Sequence, residues 1–116
     1  DIRVELSTRP EKSIGTDDQW QRAENGLVKA LKAAKIEYKE NKGEGAFYGP
    51  KIDFHIKDSQ NRSWQLGTIQ LDFATAERLE AFYIDSDGKK QPPVIIHRAI
   101  LGSVERFIAV LLRKLR

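Results

Sequence analysis

A glycine-rich segment in the middle of the chain places a hydroxyl group and a cation close together. It reads Gly43-Glu-Gly-Ala-Phe-Tyr-Gly-Pro-Lys51 and leads into an alternating apolar and polar run. The segment is not a phosphate-binding loop of the Gly-Lys-Ser/Thr type, because Pro50 separates Gly49 from Lys51 and no Ser or Thr follows the lysine. Two interpretations remain: a turn whose glycines adopt unusual backbone angles, or a loop that presents Tyr48 and Lys51 to a ligand.

Two glutamines interrupt the apolar run from Trp64 to Phe73. If the run is a regular strand, Gln65 and Gly67 share one face, whereas Thr68 and Gln70 share the other. Burying an amide is costly unless it is hydrogen-bonded. The run therefore predicts either a solvated face with satisfied amides or a site in which the amides recognise a small polar ligand. In the second case Gly67 would let the ligand approach the backbone.

One histidine and one arginine near the end of the sequence are further candidates. His97 ends an apolar run, and it is either a structural histidine or a ligand or catalyst. His55 is the only other histidine and there is no cysteine, so the chain cannot complete a structural zinc site or a disulfide by itself. Arg106, one helical turn past Ser103, presents a guanidinium either to a phosphate or to solvent.

The remaining elements are those that must position these side chains. Alternation predicts strands, a spacing of three and four predicts helices, and Gly, Pro, Asn and Asp mark the turns. The predicted elements are a strand over residues 1–10, a helix capped by Thr16 and ending near Lys35, a short strand at 36–38, a hairpin of 53–57 with 64–73, a hairpin of 81–84 with 94–97, and a helix from Ser103 to Arg116. They predict an α+β fold with an antiparallel sheet and flanking helices.

Length and composition bound the function classes. The 116 residues form one domain, and 40% hydrophobic with 32% charged residues is a globular balance. No run approaches the roughly 20 apolar residues of a membrane span. The net charge of +3 permits an anionic partner such as a phosphate or RNA. Because the sequence contains no methionine, we expect it to belong to a longer protein that holds the rest of any site.

Four segments together resemble the threonyl-tRNA synthetases, a family of class II aminoacyl-tRNA synthetases. They are Leu6–Lys12, Gly43–Phe54, Trp64–Phe73 and Pro93–Phe107, which occur in order along nearly the whole chain. The last segment is similar to motif 3 of the class, in which a Gly-x-x-Glu-Arg run opens a helix. The resemblance implies that residues 1–116 are a fragment of a single class II catalytic domain, its C-terminal half including motif 3.

The resemblance implies a threonine–tRNA ligase, which joins threonine to ATP as threonyl-adenylate and transfers it to tRNA(Thr). ATP with Mg2+ is the co-substrate, and a zinc ion reads the amino and hydroxyl groups of threonine, which excludes valine. By this resemblance His97 matches a zinc ligand, and the other ligands of the zinc ion lie outside the chain. The residues implied to contact threonine are Tyr48 and Gln70, and those implied to contact ATP are Gln65, Arg106 and Ser103. The resemblance implies a catalytic role for Lys51 and Arg106.

The sequence also departs from the family. Leu66 stands where a cysteine is common, and motif 1, the motif 2 arginine, the other zinc ligands and the anticodon-binding domain are absent from the 116 residues. We therefore expect the isolated chain to bind ATP weakly at best and not to catalyse. The parent is expected to be a homodimer in the cytoplasm or an organellar matrix, with no membrane partner. Serine is the nearest alternative substrate, although the match from Gly45 to Phe54 argues against it.

An alternative from another functional class remains open. A non-catalytic, synthetase-like module would use its basic surface to bind RNA or a partner protein. Its binding to RNA would depend on salt and not on threonine or zinc.

Overall fold

The structure is a computed structural model that describes residues 1–115 and has an α+β fold, as predicted. Its elements, in chain order, are β1 (Ile2–Ser7), α1 (Asp17–Ala33), β2 (Lys39–Asn41), β3 (Lys51–Lys57), β4 (Ser63–Asp72), α2 (Thr75–Arg78), β5 (Tyr83–Ile84), β6 (Lys90–Gln91), β7 (Ile95–Ala99) and α3 (Val104–Lys114). The predicted end of the last helix at Arg116 lies outside the described residues.

The main sheet has five strands in the order β2-β1-β3-β4-β7. Three of its four pairings are antiparallel, as predicted, but β2 runs parallel to β1, so the prediction of a purely antiparallel sheet is wrong at one edge. The reason is α1, which crosses over the sheet between these two strands and returns the chain in the original direction. The sheet is therefore mixed.

In the second predicted hairpin the turn forms, but the strand before it pairs with a different segment from the predicted 94–97. Residues 83–84 pair with 90–91 in a separate two-stranded ribbon. Pro92 and Pro93 follow at once, and because they lack the N–H that a ladder needs, the ribbon ends there. Residues 95–99 instead pair with β4 and become an edge strand of the main sheet. This pairing places His97 beside the glutamine-containing strand.

Helix α1 covers the apolar face of the sheet. Thr16 and Gln19 form the predicted capping box, in which the Thr16 hydroxyl accepts from the Gln19 N–H and the Gln19 side chain accepts from the Thr16 N–H. Leu27 and Leu31, one helical turn apart, face the sheet. The buried core they form with the strands consists of Val4, Leu6, Leu27, Leu31 and Ile52. Burying this face leaves the other face of the sheet free for polar side chains.

A bulge changes which residues of β4 share that polar face. Asp53 pairs with Thr68 and His55 pairs with Gln65, so three steps along β4 correspond to two steps along β3. Gln65 therefore lies on the same face as Thr68 and Gln70, and the prediction that the two glutamines face opposite ways is wrong. The extra residue in β4 shifts the alternation by one position.

Helix α3 rests on the β3–β4 hairpin and leaves much apolar surface exposed. Val110 is its buried residue, whereas Ile108, Leu112 and Leu115 are exposed by 49%, 60% and 76%. The total accessible surface is 8295 Å², against about 6,500 Å² expected of a compact monomer of this mass.

Within residues 1–115, no helix has the length and apolar character needed to cross a lipid bilayer.

Candidate functional site

Three of the predicted site residues form one row across adjacent strands. In the antiparallel pairings Lys51 lies opposite Gln70, and Gln70 lies opposite His97. Directly paired residues point to the same side of a sheet, and neighbouring strands are about 4.8 Å apart. The row therefore lies on the polar face, opposite the core. It is an open surface, since 49% of the His97 side chain is exposed.

Tyr48 joins this row from the glycine-rich loop. Its hydroxyl donates a hydrogen bond to Gln70 Oε1, and its ring stands edge-on to the His97 imidazole, with centroids 6.0 Å apart. Burial raises the pKa of Tyr48, and the charge of Asp72 raises it further, so the phenol keeps its proton at neutral pH. The loop thus presents a neutral hydroxyl group between an amide and an imidazole.

The loop is held against β4 by backbone contacts. Leu71 donates its N–H to the carbonyl of Pro50 at 3.0 Å. A Cβ atom at Gly49 would lie 1.8 Å from the carbonyl oxygen of Leu71, a distance that no real side chain tolerates. Glycine is therefore required at this position because the two backbones touch. The segment is thus a turn, and it places Tyr48 and Lys51 at the row; that they contact a ligand stays a prediction.

Asp53, which the sequence analysis did not single out, links the two ends of the site. Its Oδ2 lies 3.4 Å from Lys51 Nζ, while its Oδ1 accepts hydrogen bonds from Gln65 Nε2 and Thr68 Oγ1, both at 2.8 Å. The carboxyl group is buried and fully engaged. Alternation in β3 places Asp53 on the polar face between Lys51 and His55, and this was the available clue. The amide of Gln65 is therefore satisfied inside the protein.

Asp72 is the second residue that was missed. It is 2% exposed, and its Oδ2 lies 3.0 Å from His97 Nε2. Burial alone would raise the pKa of Asp72, but hydrogen bonds from Thr75, His97 and Ala74 more than offset this and lower it to about 2. The buried carboxylate therefore stays charged. Asp72 ends β4 three residues before α2 begins, and its side chain accepts from the backbone N–H groups of Ala74 and Thr75 at the start of that helix.

Arg106 and Ser103 lie on α3, away from the row. Arg106 donates from Nη1 to the backbone carbonyl of Gln65 at 3.1 Å, so it reaches the strand but no side chain of the row. Ser103 is the N-cap of α3: its hydroxyl accepts from the Arg106 N–H and donates to Glu105. The structure brings Tyr48, Lys51, Gln65, Gln70 and His97 into one connected network, and it leaves Arg106 at the margin and Ser103 outside.

Trp64 lies under Arg106 at the same margin. Three guanidinium groups, those of Arg62, Arg106 and Arg113, stand 5.9 to 6.0 Å from its ring centroid. The Trp64 indole donates to the buried carboxylate of Asp58 at 3.0 Å. This bond, together with those from Arg62 and the Gln60 N–H, lowers the pKa of Asp58 far below its usual range in spite of burial.

Gly67 does not receive a ligand in the way that was expected. A Cβ atom there would lie 2.9 Å from the carbonyl oxygen of Ile100 and 3.3 Å from that of Ala99. The neighbour that approaches Gly67 is the chain itself, where β7 runs into the turn before α3. The absence of a side chain at this position therefore serves packing between the strand and that turn.

His97 is suited to bind a metal ion through one nitrogen. Its Nε2 lies 3.0 Å from the Asp72 carboxylate, which is an acceptor, and Nδ1 is the other ring nitrogen. Metal-binding histidines have this arrangement. Within residues 1–115, however, no group of three His, Cys, Asp or Glu side chains could hold a metal ion. The described residues therefore do not complete a metal site by themselves.

Taken together, the polar face offers a cation, two amides, a phenolic hydroxyl and an imidazole within a few strand widths. Such a set can hold a small ligand that carries both amino or hydroxyl groups and an anionic group. The amides and the hydroxyl group would orient the polar groups, and Lys51 would stabilise negative charge. No side chain of this set is placed as a nucleophile with a general base.

Comparison with known proteins gives the family. Residues 4–115 match the family described as tRNA synthetase class II core domain (G, H, P, S and T). A threonine–tRNA ligase of Caldanaerobacter subterraneus is 61% identical over 96% of this chain and 17% of its own length. The threonine–tRNA ligase catalytic subunit of Sulfolobus acidocaldarius is 56% identical over 100% of this chain and 21% of its own length. The chain therefore spans about a fifth or less of these relatives.

Solved structures agree with this comparison. A crystal structure described as the RNA binding domain of threonyl-tRNA synthetase from Cryptosporidium parvum superimposes with a TM-score of 0.90 and 48% identity, over 99% of this chain and 29% of that one. A putative threonyl-tRNA synthetase from Aeropyrum pernix gives a TM-score of 0.79 and 35% identity, over 96% of this chain and 27% of that one. With the match over residues 4–115, this shows that the chain belongs to the class II tRNA synthetase core-domain family.

Proposed function

We propose that this chain forms part of the amino-acid and adenylate site of a threonine–tRNA ligase. The enzyme activates threonine with ATP to threonyl-adenylate and transfers it to tRNA(Thr). The observation that carries the proposal is the row of Lys51, Gln70 and His97 with Tyr48 beside it, found in a chain about 60% identical to proteins named threonine–tRNA ligase. In this proposal residues 1–116 are the C-terminal half of the catalytic domain, including motif 3.

Threonine would lie over the row. The Tyr48 hydroxyl and the Gln70 amide are already hydrogen-bonded to each other, so they offer a fixed donor and acceptor to an incoming amino or hydroxyl group. A site built to bind a hydroxyl group rejects a ligand that lacks it, because its own polar groups are then left unpaired. In this proposal the zinc ion would bind the hydroxyl group of threonine, and valine, which has nearly the same shape but no hydroxyl group, would be excluded.

Zinc, in this proposal, is bound in part by His97, with the other ligands outside the described residues. When bound, the ion acts as a Lewis acid that holds the amino and hydroxyl groups of the substrate. In this structure His97 Nε2 lies 3.0 Å from the Asp72 carboxylate. The contribution of this chain would then be the imidazole of His97.

ATP with Mg2+ would lie toward α3. The support for this is that Arg106 donates to the backbone carbonyl of Gln65, the other residue proposed to contact ATP. A guanidinium can both stack on a base and stabilise phosphate charge, and Ser103 caps the helix that carries it. Lys51, at the β3 end of the row, would stabilise the negative charge that develops as the adenylate forms.

The proposal is tested by ATP–pyrophosphate exchange in the intact protein that contains this chain, with threonine, serine and valine compared. We expect exchange specific to threonine, and a loss of it in Gln70→Ala. The matched control is Gln60→Ala, because Gln60 is an exposed residue of the β3–β4 turn. The absence of exchange with every amino acid would refute the proposal. The isolated 116 residues, which hold only part of the site, should not catalyse exchange.

A second candidate function rests on the structural neighbour described as an RNA binding domain. Under this alternative the chain would be a non-catalytic module that binds RNA, and the three arginines around Trp64 would provide cationic contacts. It predicts RNA binding that weakens steeply with salt and is indifferent to threonine.

In the main proposal tRNA(Thr) is a substrate, and the enzyme is a homodimer of the cytoplasm or an organellar matrix.

A further inference from the structure

Asp72 occupies a fixed position between α2 and β7. Its Oδ1 accepts from the backbone N–H groups of Ala74 and Thr75, at 3.0 and 2.9 Å. Its Oδ2 accepts from the Thr75 hydroxyl at 2.5 Å and faces His97 Nε2 at 3.0 Å. Three of these contacts come from the first turn of α2, so the carboxylate is immobilised before it meets the imidazole. Its orientation does not depend on His97.

We propose that Asp72 is the positioning residue of His97: it keeps the proton on Nε2 and thereby leaves Nδ1 as the metal-binding nitrogen. The inference rests on the proposed function, which assigns His97 to zinc. It follows from the geometry, because a carboxylate oxygen accepts and cannot donate, so the nitrogen that faces it must carry hydrogen. The imidazole is also held in orientation, since its other neighbour, the Tyr48 ring, stands edge-on against it.

Exchanging the carboxylate for an amide gives a sharp test. In Asp72→Asn the backbone N–H groups of Ala74 and Thr75 retain the Oδ1 acceptor, so the new amide nitrogen takes the place of Oδ2. That nitrogen donates toward His97 Nε2, which favours the tautomer with hydrogen on Nδ1. The nitrogen that should bind zinc then carries a proton. Because the side chain keeps its size, we expect the fold to be retained, with a loss of stability from the missing charge.

The experiment measures zinc affinity of the intact protein by competition with a chromophoric chelator, without any assay of activity. We expect Asp72→Asn to weaken zinc binding about 10- to 100-fold, the range seen when a carboxylate behind a metal ligand is lost. Asp58→Asn is the matched control, because Asp58 is also a buried carboxylate but lies in the β3–β4 turn, bonded to Trp64. It should destabilise the protein and leave zinc affinity unchanged.

The outcomes separate the inference from the proposed function. If His97→Ala loses zinc but Asp72→Asn binds it like the wild type, the positioning role is wrong and the zinc assignment stands. If His97→Ala also binds zinc like the wild type, the zinc assignment fails and the inference fails with it. If Asp72→Asn does not fold, the variant to use is Thr75→Val, which removes the hydroxyl group that bonds the Asp72 carboxylate. A loss of zinc affinity of several-fold in Thr75→Val supports the inference, whereas unchanged zinc affinity overturns it.

Discussion

Substituting alanine for Gly49 tests whether the close contact between the glycine-rich loop and β4 sets the geometry of the site. The new Cβ would lie 1.8 Å from the carbonyl oxygen of Leu71. The backbones must separate by about 1.2 Å merely to reach the shortest distance that side chains tolerate, and by more to reach ordinary van der Waals contact. Because both partners are backbone, no rotamer change can relieve the clash. The loop must move, and Tyr48 moves with it.

The effect on function follows from that displacement. A shift of about 1 Å in a positioning group can lower catalysis by 10²-fold, so we expect kcat/KM for threonine in pyrophosphate exchange to fall by about 100-fold, or about 2.7 kcal/mol. Overpacking should also lower stability by about 1–3 kcal/mol. The assay is exchange kinetics with a thermal melt of the same preparation.

Gly26→Ala is the matched control for this substitution. Gly26 lies inside α1, and a Cβ there would meet nothing within 4 Å. Alanine favours a helix interior over glycine by about 0.8–1 kcal/mol, so this variant should melt at the same or a higher temperature with unchanged kinetics. If Gly49→Ala keeps kcat/KM within about threefold of the wild type, a 1 Å shift does not matter here, and the reasoning about the loop is wrong.

Three further predictions follow from single contacts. Tyr48→Phe removes the hydroxyl group that bonds Gln70 and is proposed to contact threonine, so the KM for threonine should rise about 3- to 10-fold, in line with roughly 0.5–1.5 kcal/mol per hydrogen bond. An unchanged KM would contradict the proposed role of Tyr48 in binding threonine. The pKa of Asp72 is lowered from 3.8 to about 2 in the folded state, so its charge stabilises the folded protein by about 2 kcal/mol above pH 4. This stabilisation is lost as the pH falls to 2, and the melting temperatures of the wild type and Asp72→Asn should therefore converge over that range. Thr16→Ala removes the cap of α1 and should lower the free energy of unfolding by about 1 kcal/mol, measured in urea, whereas no change would mean that the capping box with Gln19 is not formed.

Local patterns predicted the elements that depend on neighbouring residues. The capping box at Thr16 predicted the start of α1, and Ser103 caps α3, which opens one residue later. Alternation predicted β3 and β4 as a hairpin. These features are set by contacts within a few residues, so the sequence alone is enough to find them.

Features that depend on distant partners were missed. The pairing of β7 with β4 could not be found from the sequence, because Pro92 and Pro93 stop the short ribbon without indicating which edge the next strand joins. The bulge that turns Gln65 toward Asp53 has no sequence signature, since it depends on how β3 and β4 twist against each other. The parallel pairing of β2 required knowing where α1 packs.

Several residues taken from the family resemblance lie together on the sheet. The residues taken from the family resemblance include Lys51, Gln70 and His97, which the fold places in one row. The two buried carboxylates behind that row, Asp53 and Asp72, were missed because neither is distinctive in sequence and both act through partners on other strands. The roles of all these residues in catalysis and binding stay predictions.

Binding of a non-hydrolysable threonyl-adenylate analogue tests most directly whether the polar face is the site. The measurement is calorimetric titration of the intact protein, comparing the wild type with two variants of the same strand. Lys51→Ala removes the cation in the row, whereas Lys57→Ala removes an exposed lysine at the far end of β3. With about 1.5–3 kcal/mol per charge-assisted contact, we expect Lys51→Ala to weaken binding roughly 10- to 100-fold and Lys57→Ala to bind like the wild type. Equal affinity in the two variants, or no binding by the wild type, would contradict the assignment of the site to this face.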